Sequence, residues 1–173
     1  DVIAVCLDGT GYGDDGCIWG GEIFRCNQSE YRRIAHLPYV PLPGGDAAAK
    51  SPWRMAVSYL KSIYGSKADY PETFIERLGE SHIRQIEMLI EKGVNTPLTS
   101  STGRLFDAVA SLLGICDENT YQAEAAALLE QIAENGISRC YPINSDNPLD
   151  LRSLFDGILK DYRLSVPVSE IAS

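Results

Sequence analysis

Histidine and basic side chains are scarce in this sequence. Only two histidines, His36 and His82, occur among 173 residues, and no H-E-x-x-H metal motif contains them. Lysine and arginine number 15 against 24 acidic residues, which leaves a formal charge of −9. Because duplex nucleic acids are bound through a basic face, this balance argues against a nucleic-acid-binding protein. We expect both histidines to be ordinary surface or core residues.

Paired cysteines and long apolar runs are also missing. The five cysteines are odd in number and form no C-x-x-C pair, so they indicate neither a zinc site nor a disulfide framework. No stretch approaches the roughly 20 apolar residues of a membrane helix, and no signal-peptide pattern is visible. We therefore expect a cytoplasmic protein with no metal site within these residues and no membrane partner.

The composition is that of a folded protein, with 45% hydrophobic and 23% charged residues. The length of 173 residues is typical of one domain. The chain begins at Asp1 directly before an apolar run, and it ends at Ser173 in what looks like a helix start. These ends predict that residues 1–173 are a partial domain, truncated on both sides.

The first 40 residues are typical of β-structure. Val2–Leu7 is an apolar run that predicts a buried strand, ended by a turn at Asp8-Gly9. A second strand is predicted near Cys17–Arg25 and a third over Tyr31–Leu37. Together the three strands predict an antiparallel meander.

Helical patterns follow a loop of prolines and glycines at Leu37–Asp46. Ser51 and Pro52 predict the N-cap and first position of a helix that runs to Tyr64. The remaining predicted elements are a helix from Ser81 to Gly93, a helix from Ser100 or Ser101 to Gly114, a helix over Thr120–Asn135, a strand near Ser138–Ile143 and a helix near Leu149–Tyr162. Strands first and helices afterwards indicate an α+β fold or half of a duplicated α/β fold.

A glycine-rich segment, Asp8–Gly16, follows the first strand. Glycines at alternate positions let the backbone approach a ligand, and their amides can surround an anion. The Thr10 hydroxyl could add a donor, and Asp8 could position water or a metal-bound phosphate. The segment has neither the lysine of a phosphate-binding P-loop nor dinucleotide glycine spacing, and as a calcium loop it lacks ligands. A glycine-rich hairpin without a ligand is an equally good interpretation of these residues.

A second segment, Leu42–Asp46, is followed shortly by Trp53 and Arg54. Proline and glycine constrain the loop, and Asp46 can cap a short helix. The Arg54 guanidinium offers a fork for phosphate or carboxylate. The alternative is a proline-rich turn beside a packed Trp53.

A third segment, Thr99–Asp107, places hydroxyls and a glycine at the start of a predicted helix. Such a helix start suits an anion or a ribose. Asp107 lies one turn beyond Gly103, so both can face the same cleft. The alternative is a serine-capped amphipathic helix with no ligand.

Taken in order, the three segments resemble the HypF family of carbamoyltransferases, which mature nickel–iron hydrogenases. The resemblance rests on Asp8–Gly16 with Trp19–Glu22, on Leu42–Asp46 with Pro52–Ala56, and on Ser100–Ala110. It implies part of the C-terminal carbamoyl-transfer domain, with the duplicated actin-like fold of acetate and sugar kinases.

The resemblance also implies a reaction and a set of site residues. In the family, carbamoyl phosphate and ATP form carbamoyl adenylate in an adjoining domain, and this domain transfers the carbamoyl group to the C-terminal cysteine of HypE. Dehydration then gives the thiocyanate that supplies cyanide ligands to iron. By position, Asp8 is the expected catalytic residue and Arg54 is expected to order the loop after Gly45. The expected phosphate and nucleoside contacts are Gly9, Thr10, Gly11, Gly13, Gly103 and Asp107.

Two features depart from the family pattern. The family usually has Tyr-Glu-Gly-Gln-Ala-Ala where Tyr121–Ala126 reads Tyr-Gln-Ala-Glu-Ala-Ala. The family's histidine-rich metal motif lies upstream of the first strand, so a divalent metal is expected from ligands outside these residues. We expect this segment alone to be inactive. The alternatives are a related O-carbamoyltransferase with a small-molecule acceptor and a non-catalytic nucleotide-binding module.

Overall fold

The computed structural model describes residues 1–134, 136 and 140–173. The strands in these residues are β1 (Val2–Tyr12), β2 (Ile18–Cys26), β3 (Tyr31–His36), β4 (Val40–Pro41) and β5 (Leu98–Thr99). β2 pairs antiparallel with β1 on one side and with β3 on the other, which confirms the predicted meander. The short β5 continues the sheet, parallel to β2 and antiparallel to β4.

The helices follow the meander, as the residue pattern predicts. They are α1 (Asp46–Lys50), α2 (Pro52–Tyr64), α3 (Glu72–Leu78), α4 (Glu80–Lys92), α5 (Thr102–Leu112), α6 (Glu124–Ile132), α7 (Arg152–Arg163) and α8 (Val168–Ile171). A single 3₁₀ turn, Gly65–Lys67, follows α2.

The first strand does not end at Asp8-Gly9, so the turn predicted there is wrong. β1 continues to Tyr12, and the chain forms a bulge instead. Leu7 pairs with Gly21 and Gly11 pairs with Trp19, so Asp8–Thr10 stands opposite one residue of β2. A bulge bends its strand and redirects side chains, which is why bulges are common beside active sites.

The prediction that Val2–Leu7 is buried is also wrong for the described residues. Val2, Ile3, Val5 and Leu7 are each more than 60% exposed. The reason is topological, because β1 is an edge strand that pairs with β2 alone in the described part of the chain. The apolar run has the composition of a buried strand, although its large side chains are exposed and no described strand pairs with its outer edge.

The core lies between α2 and α5, which pack against each other. α2 is buried on all sides from Met55 through Leu60, and the alanines Ala108 and Ala110 of α5 are fully buried. Small residues on α5 let the two helix backbones approach closely. This packing holds the start of α5 against the meander.

Several helix boundaries differ from the predictions. Ser101 caps α5 as expected, since its hydroxyl accepts from the Arg104 amide at 3.2 Å. Ser51 stands before Pro52, but its hydroxyl donates to the Glu118 carboxylate at 2.8 Å and does not cap α2. Ser81 lies inside α4, because Gly79 (φ 81°) takes the N-cap position and the helix begins at Glu80.

Three further predictions concern loops and the second half of the chain. Asp46 is the first residue of α1 and makes no side-chain capping bond. The helix predicted over Thr120–Asn135 begins only at Glu124, and Asn135 lies outside the described residues. Of the strand predicted near Ser138–Ile143, residues 138 and 139 lie outside the described residues, and residues 140–143 form no strand.

Candidate functional site

One pocket of about 1040 Å³ lies where the Asp8–Thr10 bulge meets the start of α5 and the turn before α6. The predicted site residues that line it are Asp8, Gly9, Thr10, Gly103 and Asp107. The structure therefore brings together both carboxylates, the hydroxyl and two of the glycines, although Asp8 and Asp107 are far apart in the chain.

Glycine allows the bulge and α5 to touch backbone to backbone. A Cβ on Gly103 would lie 2.8 Å from the Cα of Gly9, and a Cβ on Gly20 would lie 2.3 Å from the carbonyl oxygen of Asp8. The hydroxyl of Ser101 lies 2.9 Å from the carbonyl oxygen of Asp8 and 2.8 Å from that of Gly9, and it donates to this pair. These contacts place the bulge directly above the N-terminus of α5.

Gly11 and Gly13 do not line the pocket, although they belong to the same sequence motif. A Cβ on Gly11 would lie 2.9 Å from the Trp19 carbonyl oxygen, and one on Gly13 would lie 2.3 Å from the Trp19 indole nitrogen. The indole in turn donates to Asp15 at 2.9 Å and lies under the guanidinium of Arg33 at 4.2 Å. These two glycines make room for Trp19 at the tip of the hairpin.

Arg54 also lies outside the pocket lining. Its Nη1 donates to the Pro43 carbonyl oxygen at 3.4 Å, and its guanidinium lies 5.4 Å from the Trp53 ring. A Cβ on Gly44 would lie 3.0 Å from the same nitrogen. Arg54 therefore contacts the Pro43-Gly44 loop, which leads into α1 and its pocket residue Asp46.

Hydroxyl groups at the start of α5 form hydrogen bonds to β2 within the protein. Ser100 donates to the carboxylate of Glu22, and Thr102 donates to the Gly20 carbonyl oxygen at 2.7 Å. The other Glu22 oxygen accepts from the Gly21 amide at 2.8 Å, which satisfies a carboxylate that is only 2% exposed. An anion at this helix start would therefore meet backbone amides and the helix dipole.

Arg104 is a pocket residue that the motif reasoning missed. Its guanidinium is buried, and Nη1 lies 2.9 Å from Oδ2 of Asp107, which is 1% exposed. Burial raises the pKa of Asp107 to about 6, and the positive charge of Arg104 opposes that rise. The available sequence signal was the i, i+3 spacing of an arginine and an aspartate on one helix face.

The turn before α6 closes the other side of the pocket. Tyr121, Gln122 and Ala123 line it, and Ala123 has a left-handed backbone with φ 62°. Glu124 accepts from the amide and the hydroxyl of Thr120, which fixes the turn. The segment that departs from the family motif therefore borders the pocket.

Metal ligands are sparse in the described part of the chain. No group of three His, Cys, Asp or Glu side chains converges there. Asp8 Oδ1 accepts from the Gly9 amide at 2.6 Å. The ring nitrogens of His36 and His82 each lie 2.7 Å from a backbone carbonyl oxygen. The carboxylates of Asp8, Asp46 and Asp107 line the pocket, but they do not come together as a set of metal ligands.

All five cysteines are free thiols. No helix among residues 1–134, 136 and 140–173 combines the length and apolar character that a bilayer crossing requires.

Comparisons with known proteins agree on one family. A family model described as the carbamoyltransferase Kae1-like domain, second subdomain, matches residues 4–173. The carbamoyltransferase HypF homolog of Cupriavidus necator is 38% identical over 91% of the chain, and the carbamoyltransferase HypF of Synechocystis sp. is 36% identical over 94%. The chain spans 42% and 24% of these two relatives, respectively.

Two solved structures share the fold. A full-length HypF in a phosphate- and nucleotide-bound form superposes with a TM-score of 0.82 at 35% identity. The HypF of T. kodakarensis superposes with a TM-score of 0.81 at 32% identity. Each covers 99% of this chain, which spans 27% and 24% of those chains. The expected fold, an α/β segment of an actin-like kinase domain with a β-meander before its helices, is confirmed. This chain belongs to the HypF family of carbamoyltransferases, as part of its Kae1-like domain.

Proposed function

We propose that this chain is the part of a HypF-like carbamoyltransferase that holds the nucleotide end of carbamoyl adenylate during carbamoyl transfer. The observation that carries the proposal is the single pocket formed by the Asp8–Thr10 bulge, the N-terminus of α5 and the turn before α6. A relative of the same fold, 35% identical, was solved with phosphate and nucleotide bound.

The pocket offers an acidic protein a way to bind an anion. With a net charge of −9, the chain has little positive side-chain potential to attract a phosphate. Backbone amides of the bulge and the dipole of α5 supply positive potential without added cations. Gly9 and Gly103 leave the backbone accessible there, and the Thr10 hydroxyl adds a donor. Gly11 and Gly13 support this loop because their lack of a side chain lets Trp19 pack against the hairpin.

The transfer step moves one carbamoyl group from phosphate to sulfur. The acceptor thiolate attacks the carbamoyl carbon, the bond from that carbon to the phosphate oxygen breaks, and AMP leaves. In this proposal Asp8 positions the reacting phosphate or a metal ion bound to it, and Asp107 faces the nucleoside. Arg54 keeps the loop after Pro43 in place.

The other participants belong to the full-length protein. We propose that carbamoyl phosphate and ATP form the adenylate in an adjoining domain and that the divalent metal comes from ligands outside these residues. The acceptor is the C-terminal cysteine of a HypE-like protein. Five free thiols suit a reducing compartment, which supports action in the cytoplasm.

The proposal is tested by Asp8→Ala in the full-length protein. We expect carbamoyl transfer to HypE to be abolished, because the Asp8 carboxylate is lost from the pocket, while pyrophosphate release from adenylate formation continues. The measurements are the mass of the acceptor protein and the rate of pyrophosphate release. Asp14→Ala is the matched control, since Asp14 lies on the same hairpin, outside the pocket, and accepts from Tyr31.

Three outcomes would contradict the proposal. Transfer by Asp8→Ala at the wild-type rate removes the role given to Asp8. A wild-type protein that carbamoylates small hydroxylated acceptors and leaves HypE unmodified supports the small-molecule alternative, and one that binds nucleotide without any transfer supports the non-catalytic module.

A further inference from the structure

Buried polar atoms without hydrogen-bond partners are concentrated at the base of the pocket. Seven such side-chain atoms occur in the described residues, and five of them belong to Arg104, Asp107 and Tyr59. Native proteins pair nearly all of their buried polar groups. A cluster of this kind beside a pocket therefore points to a polar ligand.

The Arg104 guanidinium lies between the bulge and the Asp107 carboxylate. Nη1 is 2.9 Å from Asp107 Oδ2, although Nε and Nη1 make no hydrogen bond. Nη2 is 3.8 Å from the position that a Cβ on Gly9 would occupy, so this nitrogen faces the bulge. Arg104 is only 8% exposed, and it lines the pocket directly.

Three features of Arg104 suit an anionic ligand. A guanidinium carries five N–H donors in a planar fork that matches phosphate oxygens. The side chain belongs to the first turn of α5, where the helix dipole favours negative charge. The only other cationic side chain described in the lining is Lys50, which is exposed at the end of α1.

We propose that Arg104 binds a phosphate oxygen of the nucleotide, with Asp107 holding the guanidinium in place beneath the bulge. The inference rests on the proposed function and adds a residue that discriminates a nucleotide from its nucleoside. A charge-assisted hydrogen bond to phosphate adds affinity only for ligands that carry the phosphate.

The test compares AMP with adenosine in the full-length protein. Hydrogen exchange of peptides covering residues 1–12 and 101–112 localises each ligand to this pocket, and titration of the protection gives its affinity. We expect Arg104→Gln to weaken AMP binding by about 10- to 100-fold, since hydrogen bonds to charged groups contribute that much. Adenosine binding should change by less than about threefold.

Two further variants separate ligand binding from folding. Arg104→Gln combined with Asp107→Asn removes both charges of the pair, so neither charge is left buried without its partner. This variant should lower the ratio of AMP affinity to adenosine affinity by the same factor, because any nucleoside contact of Asp107 is shared by both ligands. Arg77→Gln is the control, because Arg77 also pairs with an aspartate, Asp117 at 3.0 Å, in a partly exposed position outside the pocket. We expect the control to keep the wild-type preference for AMP over adenosine.

The outcomes distinguish this inference from the proposed function. A wild-type protein in which neither ligand protects these peptides contradicts both. Wild-type binding together with an unchanged AMP-to-adenosine ratio in both Arg104 variants contradicts the role of Arg104 alone.

Discussion

A single backbone angle distinguishes Ala123 from its neighbours in the turn before α6. Its φ of 62° is left-handed, a conformation that glycine adopts freely and that alanine adopts at a cost. The HypF motif that this chain resembles has glycine at the same place. The alanine therefore adds local strain beside the pocket.

We expect Ala123→Gly to stabilise the protein by about 1 kcal/mol, because glycine removes the clash of Cβ with the backbone. Urea unfolding followed by tryptophan fluorescence measures the change. Ala127→Gly is the matched control: Ala127 is an exposed position inside α6, and there glycine should destabilise by about 0.5–1 kcal/mol. Destabilisation by Ala123→Gly would contradict the argument from φ.

The buried carboxyl of Asp107 couples stability to pH. Burial raises its pKa to about 6 from an ordinary value of 3.8, and the groups that face it are Arg104, Asn119, Tyr59 and Cys116. Because the folded pKa is the higher one, folding disfavours the ionised form. The resulting cost is absent below pH 4 and complete above pH 6.

We expect Asp107→Asn to gain stability relative to the wild type as the pH rises from 4 to 6. The gain is on the order of 2 kcal/mol, which corresponds to the raised pKa. Urea unfolding at several pH values measures the difference between the two proteins. A difference that stays constant across this range would show that Asp107 does not titrate there.

At the scale of elements, the pocket depends on one junction between the β1–β2 hairpin and α5. Buried hydroxyls of Ser100, Ser101 and Thr102 tie the start of the helix to both strands. The tip of the hairpin is fixed separately, because hydrogen bonds from Tyr39, Cys17, Arg33 and Trp19 to Asp15 hold the pKa of that carboxyl well below its usual range. Both ends of the glycine-rich segment are therefore held in place.

The junction is sensitive to a single added methyl group. We expect Gly103→Ala to destabilise the protein by about 1–3 kcal/mol, because its Cβ would lie 2.8 Å from the Gly9 Cα and neither backbone can move freely. Gly9→Ala is the control, since its Cβ would meet the nearest atom, Arg104 Nη2, at an ordinary 3.8 Å. Thermal unfolding of both variants checks the contrast, and equal stability would contradict a tight junction.

At the scale of the whole molecule, the chain combines a dense helical core with an exposed sheet edge. α2 and α5 bury their facing sides, whereas the apolar side chains of Val2–Leu7 remain open in the described residues. The chain spans 27% of the full-length HypF of known structure that it resembles. A long apolar edge strand of this kind is normally paired or covered in native proteins.

Much of this arrangement was predictable from residue patterns. The meander, the order of strands before helices and the helix stop at Gly93 follow from local rules on apolar runs, caps and glycine. The spacing of Gly103 and Asp107 on one helix predicts that both can face the same cleft, and both line the pocket. The three motifs were sufficient to identify the family, because glycine, aspartate and hydroxyl positions recur there in order.

The sequence by itself therefore determined the family, the order of elements and five residues that line the pocket, since these depend on local pattern. Only the tertiary structure decided that Asp8–Thr10 is a bulge and that Arg104 is buried against Asp107. It also decided that Gly11 and Gly13 leave space for the Trp19 side chain and backbone. The reason is that these outcomes depend on contacts across the chain, such as the hydroxyl of Ser101 and the carbonyl of Asp8, 93 residues apart. Local patterns carry no information on which distant backbones will meet.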